Sequence, residues 1–341
     1  MNIILLVILI CVIPTYTLAA IMFGDVNGKL IALLFGKRIA NGVSRLFESI
    51  FFGATPTVQI IHAFVLCAIE YGAYTSVFPL FGSGSSQPYI WSFLILSCFL
   101  IALLCSLTDP GVVTKDTIDK MIQVFPYDDL LYKENNECRT CHLPKPARSK
   151  HCSLCNRCVY KFDHHCVWVN NDIGLYNYKY FLFYLWIHMI SCIYVCLSSL
   201  YLLAKISKAY GLFEVTYYDA AVGHNVHAST SVILIWLLQH YQILCCIFLT
   251  TGLFAVCLLL FFFLHIGYIF KNQTTNEVAK WYSINYNFWH FQNKNWFNYI
   301  FGIYPRDYPQ HIYNHGLLST LCEVVFPSFY ISRILVHNKT D

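Results

Sequence analysis

Apolar residues in this chain come in long runs separated by short polar stretches, and the lengths of those runs set the first expectation. A bilayer core about 30 Å thick takes roughly 20 apolar residues as helix. Residues 3–22 meet that length, with Pro14 as a kink point, and 58–80 and 90–107 follow, joined by the turn Gly-Ser-Gly-Ser-Ser-Gln-Pro. Two more runs, 180–204 and 244–270, bring the expected spans to five. A shorter run at 232–238 is set apart by Gln239-His240-Tyr241-Gln242. It reads either as an interfacial helix or as an earlier start of the last span. The first run has no basic residue after Met1 and is long for the apolar part of a signal peptide, so it is expected to be a retained anchor.

Composition agrees with this pattern. Of the 341 residues, 57% are apolar and only 12% are charged, against roughly 25% charged in an ordinary soluble domain. Such a chain cannot cover a soluble globule with polar surface, so lipid must cover much of it. The net charge of +4 says less than the placement of the cations. Ten Lys and Arg lie between Lys115 and Lys179, four in the loop between the first two runs and six after Phe270, while the two other loops hold only Lys205 and Lys208. By the positive-inside rule the central island, the first long loop and the C-terminus are cytosolic. The expected fold is an all-α polytopic membrane protein with about five transmembrane helices and a cytosolic, zinc-binding, cysteine-rich domain. Its parts are an N-terminal membrane region (1–107), the cysteine-rich domain (108–179), a C-terminal membrane region (180–270) and a cytosolic tail (271–341). No internal repeat and no charge placed to mark a pathway through a span support a transporter or channel.

The sixteen cysteines fall into two populations. Ten are scattered, mostly within apolar runs, where a free thiol behaves as a small hydrophobe. The other six lie between Cys138 and Cys166, inside NECRTCHLPKPARSKHCSLCNRCVYKFDHHCVWVNNDIG. In reducing cytosol thiolates bind metal rather than forming disulfides. Cys138-x-x-Cys141 and Cys152-x-x-Cys155 have the gap that lets two thiolates reach one tetrahedral Zn²⁺, and Cys158, His151, His164 and His165 follow at knuckle-like spacings. Two closed sites need eight ligands. The cysteines other than Cys166 supply five; His151 and one histidine of the His164-His165 pair raise this to seven. Adjacent residues of an extended segment point to opposite sides, so one of the pair can ligate while its neighbour faces elsewhere. Spacing alone leaves Cys166 either as the eighth ligand or as a nucleophile beside a free imidazole that Asp163 orients.

Asp163-His164-His165-Cys166, set in this cysteine-rich frame, resembles the signature of the DHHC protein S-acyltransferases. The resemblance runs from Cys138 through Pro146-x-Arg148, His151-Cys152, Trp168, Asn170 and Gly174 to Asn177 and Phe181. Asp109-Pro110-Gly111 and Thr274-Thr275-Asn276-Glu277 correspond to two flanking motifs of that family. The resemblance implies a protein-cysteine S-palmitoyltransferase with Cys166 as nucleophile, His164 as general base and Asp163 as orienting carboxylate, tied to the segment after the last span by Thr275. It implies two structural zinc ions, one on Cys138, Cys141, His151 and Cys158, the other on Cys152, Cys155, His165 and position 172. Here the family usually has cysteine and this chain has Asp172, a harder ligand. That departure sustains the alternative of a weak or inactive membrane-bound zinc scaffold. The donor implied is palmitoyl-CoA or another long-chain acyl-CoA, whose chain belongs among the membrane helices because each exposed CH₂ costs about 0.8 kcal/mol. Arg148 and Lys150 are the expected phosphate contacts and Trp168 a packing surface beside the thioester. The implied acceptors are membrane-associated proteins with cytosolic cysteines, at the endoplasmic reticulum or Golgi. Nucleic acid is not an expected partner, because the basic residues abut the bilayer.

Overall fold

The computed structural model describes residues 55–219, 223–291 and 312–337. The run at 3–22 and the loop after it lie outside these residues. Among the described residues four helices are long and apolar enough to cross a membrane: α1 (Thr57–Ser76), α2 (Gln87–Leu107), α4 (Tyr178–Ala209) and α6 (Gln242–Lys271). At 1.5 Å per residue each is at least about 30 Å long. Four of the five expected spans are thus present, and the protein is mostly helical. Among the described residues three two-stranded antiparallel hairpins interrupt the helices: β1 (Lys150–Cys152) with β2 (Arg157–Val159), β3 (His164–Cys166) with β4 (Asn171–Ile173), and β5 (Thr216–Asp219) with β6 (His224–His227). A short helix, α3 (Ile118–Ile122), precedes the first hairpin.

Two span boundaries differ from the apolar runs for local reasons. The run 58–80 ends as helix at Ser76 and resumes as one turn, Phe78–Phe81. Pro79, near the start of that turn, lacks the N–H and crowds the carbonyl a continuous helix would need. The run 232–238 forms a separate helix, α5 (Thr230–His240), which ends at Tyr241 with φ −128° and ψ 47°. It is not the beginning of α6. Across the described residues every cysteine is a free thiol.

The chain divides into two compact units. In the first, residues up to 101 and 184–260, polar side chains pin the helices: Ser92 donates to Glu70, Tyr194 to Gln87, and the Cys98 thiol to Ser191 at 3.4 Å. Outward-facing Phe93, Leu96 and Leu260 are exposed, as lipid-facing residues should be.

The second unit comprises residues 102–183 and from 261 onward, and it holds the polar island. It also contains α7 (Thr275–Phe291), α8 (Leu317–Val325) and α9 (Pro327–His337). Asp109 starts the turn out of α2, its Oδ1 accepting from the backbone N–H of Gly111 and Val112 at 2.9 and 3.0 Å. The chain then bridges to β2, with Val113 N–H donating to Cys158 O and Tyr160 N–H to Gly111 O. Gly174 sits where any side chain would collide: a Cβ there would lie 2.5 Å from Pro110 O and 2.6 Å from Val159 Cγ1. That close approach holds β4 against the turn after α2. The core beneath is aromatic, with Phe125, Tyr160 and Tyr313 almost wholly buried.

Candidate active site and metal centres

The first hairpin sorts its ligands by strand alternation. In the register of β1 and β2, His151 lies opposite Cys158 and Cys152 opposite Arg157. Successive strand residues face opposite ways. His151 and Cys158 therefore face one side, where they meet Cys138 and Cys141, while Cys152 faces the other and meets Cys155. The four donors Cys138, Cys141, His151 and Cys158 lie within 4.8 Å of one another. His151 Nδ1 is 3.3 Å from Cys141 Sγ and 3.8 Å from Cys158 Sγ. With Zn–S near 2.3 Å, the edges of a tetrahedral thiolate site are roughly 3.4–3.8 Å, so these distances fit a metal ion. In each Cys-x-x-Cys loop the second cysteine's N–H donates to the first sulfur at 3.4 Å, which satisfies thiolate charge.

The second hairpin repeats this sorting with a different outcome. His165 lies opposite Asp172, and the two meet Cys152 and Cys155 in a second group of donors within 4.8 Å. His165 Nδ1 stands 3.0 Å from Asp172 Oδ1, 3.4 Å from Cys155 Sγ and 3.9 Å from Cys152 Sγ. Arg157 donates to the other Asp172 oxygen at 3.3 Å and to Asn171 Oδ1 at 2.8 Å, so a cation balances the carboxylate from behind. Asp172 thus occupies the place that completes the second set. Cys166 belongs to neither group.

His164 and Cys166 are two apart on β3 and share the face that His165 avoids. His164 Nδ1 donates to Asp163 Oδ2 at 2.7 Å, leaving Nε2 for the hydrogen bond with Cys166. Burial alone would favour neutral imidazole, but the bond to Asp163, then that with Cys166, push its pKa up to about 10. Burial likewise opposes the charge on Asp163, yet His164 and the Thr275 N–H hold the carboxyl below its ordinary range. Thr275 makes two bonds to it, N–H to Oδ1 at 2.7 Å and Oγ1 to Oδ2 at 2.8 Å. Opposite Cys166, Asn171 donates to the carbonyls of Cys105, Ser106 and Thr108, which end α2. The hairpin that carries the thiol is thereby fixed, through its second strand, to a helix terminus that would otherwise have unpaired acceptors. The Phe181 ring packs edge-on to His164 at 5.0 Å between centroids.

Thr275 is itself held by a reciprocal cap. Thr274 Oγ1 accepts from Glu277 N–H at 3.2 Å, and Glu277 Oε2 accepts from Thr274 N–H at 3.0 Å, a capping box at the start of α7. Glu277 does more than cap. It is wholly buried, and Arg148 donates to both of its oxygens at 2.7 Å.

Arg148 requires a correction. Proximity to the knuckles and the family motif offer it as a phosphate contact, but its side chain is 0% exposed. Its guanidinium binds Glu277 twice, Asn272 Oδ1 at 3.1 Å and Asn272 O at 2.8 Å, and stacks on the rings of Phe125 and Tyr313. A soluble phosphate cannot reach it. Glu323 of α8 completes the group, 2.5 Å from Lys161 Nζ and 3.8 Å from Arg148. Two cations and two carboxylates thus neutralise one another inside the second unit. Sequence reasoning missed Asn272, Lys161 and Glu323. The one available signal was Glu323, a lone acid in the otherwise uncharged Leu317–Val325 segment. Lys150 remains exposed, its Nζ 5.1 Å from the Phe162 ring centroid, and Trp168 is half-buried in the turn after Cys166.

A family model described as DHHC palmitoyltransferase matches residues 131–282. Mouse palmitoyltransferase ZDHHC4 is 31% identical over 333 residues, which cover 94% of this chain and 92% of the mouse protein. The rat ZDHHC4 protein is 32% identical over 338 residues with the same coverage. The chain belongs to the DHHC palmitoyltransferase family. Palmitoyltransferase SWF1 of Saccharomyces cerevisiae is 36% identical over 171 residues, half of this chain and 42% of the yeast protein. The strings Asn272-Gln273-Thr274-Thr275-Asn276-Glu277 and His315-Gly316-Leu317 lie outside the signature, and the ZDHHC4 likeness spans nearly the whole chain. This DHHC enzyme is a protein S-palmitoyltransferase in an integral membrane setting, with two cysteine- and histidine-rich groups suited to metal.

Proposed function

We propose that Cys166 carries the acyl group between donor and acceptor. Its thiolate attacks the carbonyl carbon of a long-chain acyl-CoA, a new C–S bond forms, and CoA leaves as a thiolate that takes a proton from His164. The thiol of a cytosolic cysteine on a membrane-associated protein then gives its proton to the neutral His164 and attacks the acyl carbon; the bond to Cys166 Sγ breaks, releasing the acylated acceptor and restoring the Cys166 thiolate beside protonated His164. Asp163 keeps His164 in one tautomer, and Thr275 keeps Asp163 in place. The observation that carries this reading is the shared face of His164 and Cys166 on β3, with His165 turned away. We assign Lys150, an exposed cation on β1, to the CoA phosphates and Trp168, two residues after Cys166, to the thioester. We assign the reaction to the cytosolic face of the endoplasmic reticulum or Golgi; the cations of the 108–179 region support the cytosolic side. The test is transfer: purified protein given palmitoyl-CoA should acquire a hydroxylamine-labile acyl group and pass it to an acceptor cysteine. Acylation that survives hydroxylamine would place the acyl group on an oxygen or nitrogen and overturn the thioester route.

Two zinc ions would be held by the two donor sets, and their chemistry is structural, fixing the hairpins that present Cys166. Asp172 is the fourth ligand of the second set. Asp172→Cys should then keep or raise zinc retention, because thiolate replaces carboxylate in a His-Cys-Cys shell. Asp172→Ala leaves three ligands and an open position, and should release one zinc under mild chelation and lose autoacylation with it. Titrating a chelator against all three proteins while counting retained zinc decides the point. Equal retention would remove Asp172 from the ligand set.

A further inference from the structure

Helix α8 is inside out. A helix packed on a protein and facing water turns its apolar stripe inward and its polar residues outward. In α8 the polar residues are the hidden ones: Thr320 is 1% exposed and Glu323 0%. Leu318 is 83% exposed on the opposite side, with Leu321 and Val325 beside it, and Glu323 is the only charge in the helix. The apolar face continues around the bend between the helices through exposed Phe326 and Phe329.

We propose that this outer face docks into the hydrocarbon of the bilayer leaflet next to the active site, so that α8 and α9 form a shallow membrane-seated pair. The inference rests on the integral-membrane reading of the chain. The pair is fastened to the two helix ends that belong to its own unit. Asn272, immediately after α6, donates to Glu323 at 2.9 Å, and Lys179, the second residue of α4, donates to the carbonyl of Val325 at 3.1 Å. Those two bonds hold α8 at the ends of two helices that are long and apolar enough to cross a membrane. The helices are 9 and 11 residues long and meet at 116°, too short and too bent for either to cross. Arg333, exposed on α9, and Lys179 supply cations for lipid phosphates at that depth.

Full-length protein in nanodiscs containing phosphatidylcholine with a tail diazirine tests this by photolysis and peptide mapping. Lipid adducts are expected on Leu318, Phe326 and Phe329 within about two-fold of those on Phe93 and Leu96 of α2. In Leu318→Asp/Phe329→Asp, which removes exposed groups and no core packing, adducts on the pair should fall at least five-fold while those on α2 stay. Labelled α2 with a bare α8–α9 pair would overturn the inference, as would cross-links joining the pair to a second copy of the chain. An unlabelled α2 would instead overturn the membrane reading, and this inference with it.

Discussion

Cys166→Ser is expected to acquire no hydroxylamine-labile acyl group from palmitoyl-CoA while its zinc content stays that of the wild type. The two outcomes together separate the roles the sequence leaves open for this residue. A serine hydroxyl beside His164 is a far weaker nucleophile than a thiol, so the acyl-enzyme should disappear within detection. Both four-donor groups are complete without Cys166, so metal content should not change. Retained labelling would sink the mechanism. Lost zinc would show Cys166 to be a ligand, and the second set would have to be rebuilt around it.

Arg148→Met should remove a large share of the stability of the second unit. Substitution leaves Glu277 and Glu323 buried with only Lys161 to balance them, and breaking one side of a buried pair costs about 3–5 kcal/mol. The total to draw on is of order 5–15 kcal/mol. Arg148→Lys should recover only part of the loss, because an ammonium cannot span both Glu277 oxygens while also reaching Asn272. Thermal unfolding in detergent, with Glu277→Gln and the double variant completing a cycle, measures the coupling. A wild-type midpoint for Arg148→Met would mean that the network contributes nothing. If Arg148 served a phosphate instead, the variant would raise the KM for acyl-CoA and leave unfolding unchanged.

The chemistry of the site was legible because it is local. Cys-x-x-Cys spacings, the His164-His165 doublet and the alternation of an extended strand act within a few residues, and they separate ligands from the base before any tertiary contact forms. The spans were legible for the same reason, since apolar length is a property of contiguous sequence. Arg148 was misread because its partners Asn272, Glu277 and Glu323 lie more than a hundred residues away, and a positive-inside bias gives no hint that one cation is buried. The end of α1 was misplaced because hydropathy weighs Pro79 by polarity and not by its missing N–H. The α8–α9 pair escaped notice because nine apolar-rich residues read alike as core or as membrane until Glu323 is seen to point inward.

The register of β3 against β4 has a consequence for how this enzyme can evolve. Face is assigned by parity: even offsets from Cys166 join His164 on the catalytic side, and odd offsets join His165 on the metal side. Substitution within the hairpin is negotiable, as aspartate in a cysteine's usual place illustrates. Insertion or deletion of a single residue in β3 is not, because it would exchange base and ligand in one step. The DHHC segment therefore behaves like a reading frame, open to new letters and closed to a shift of one.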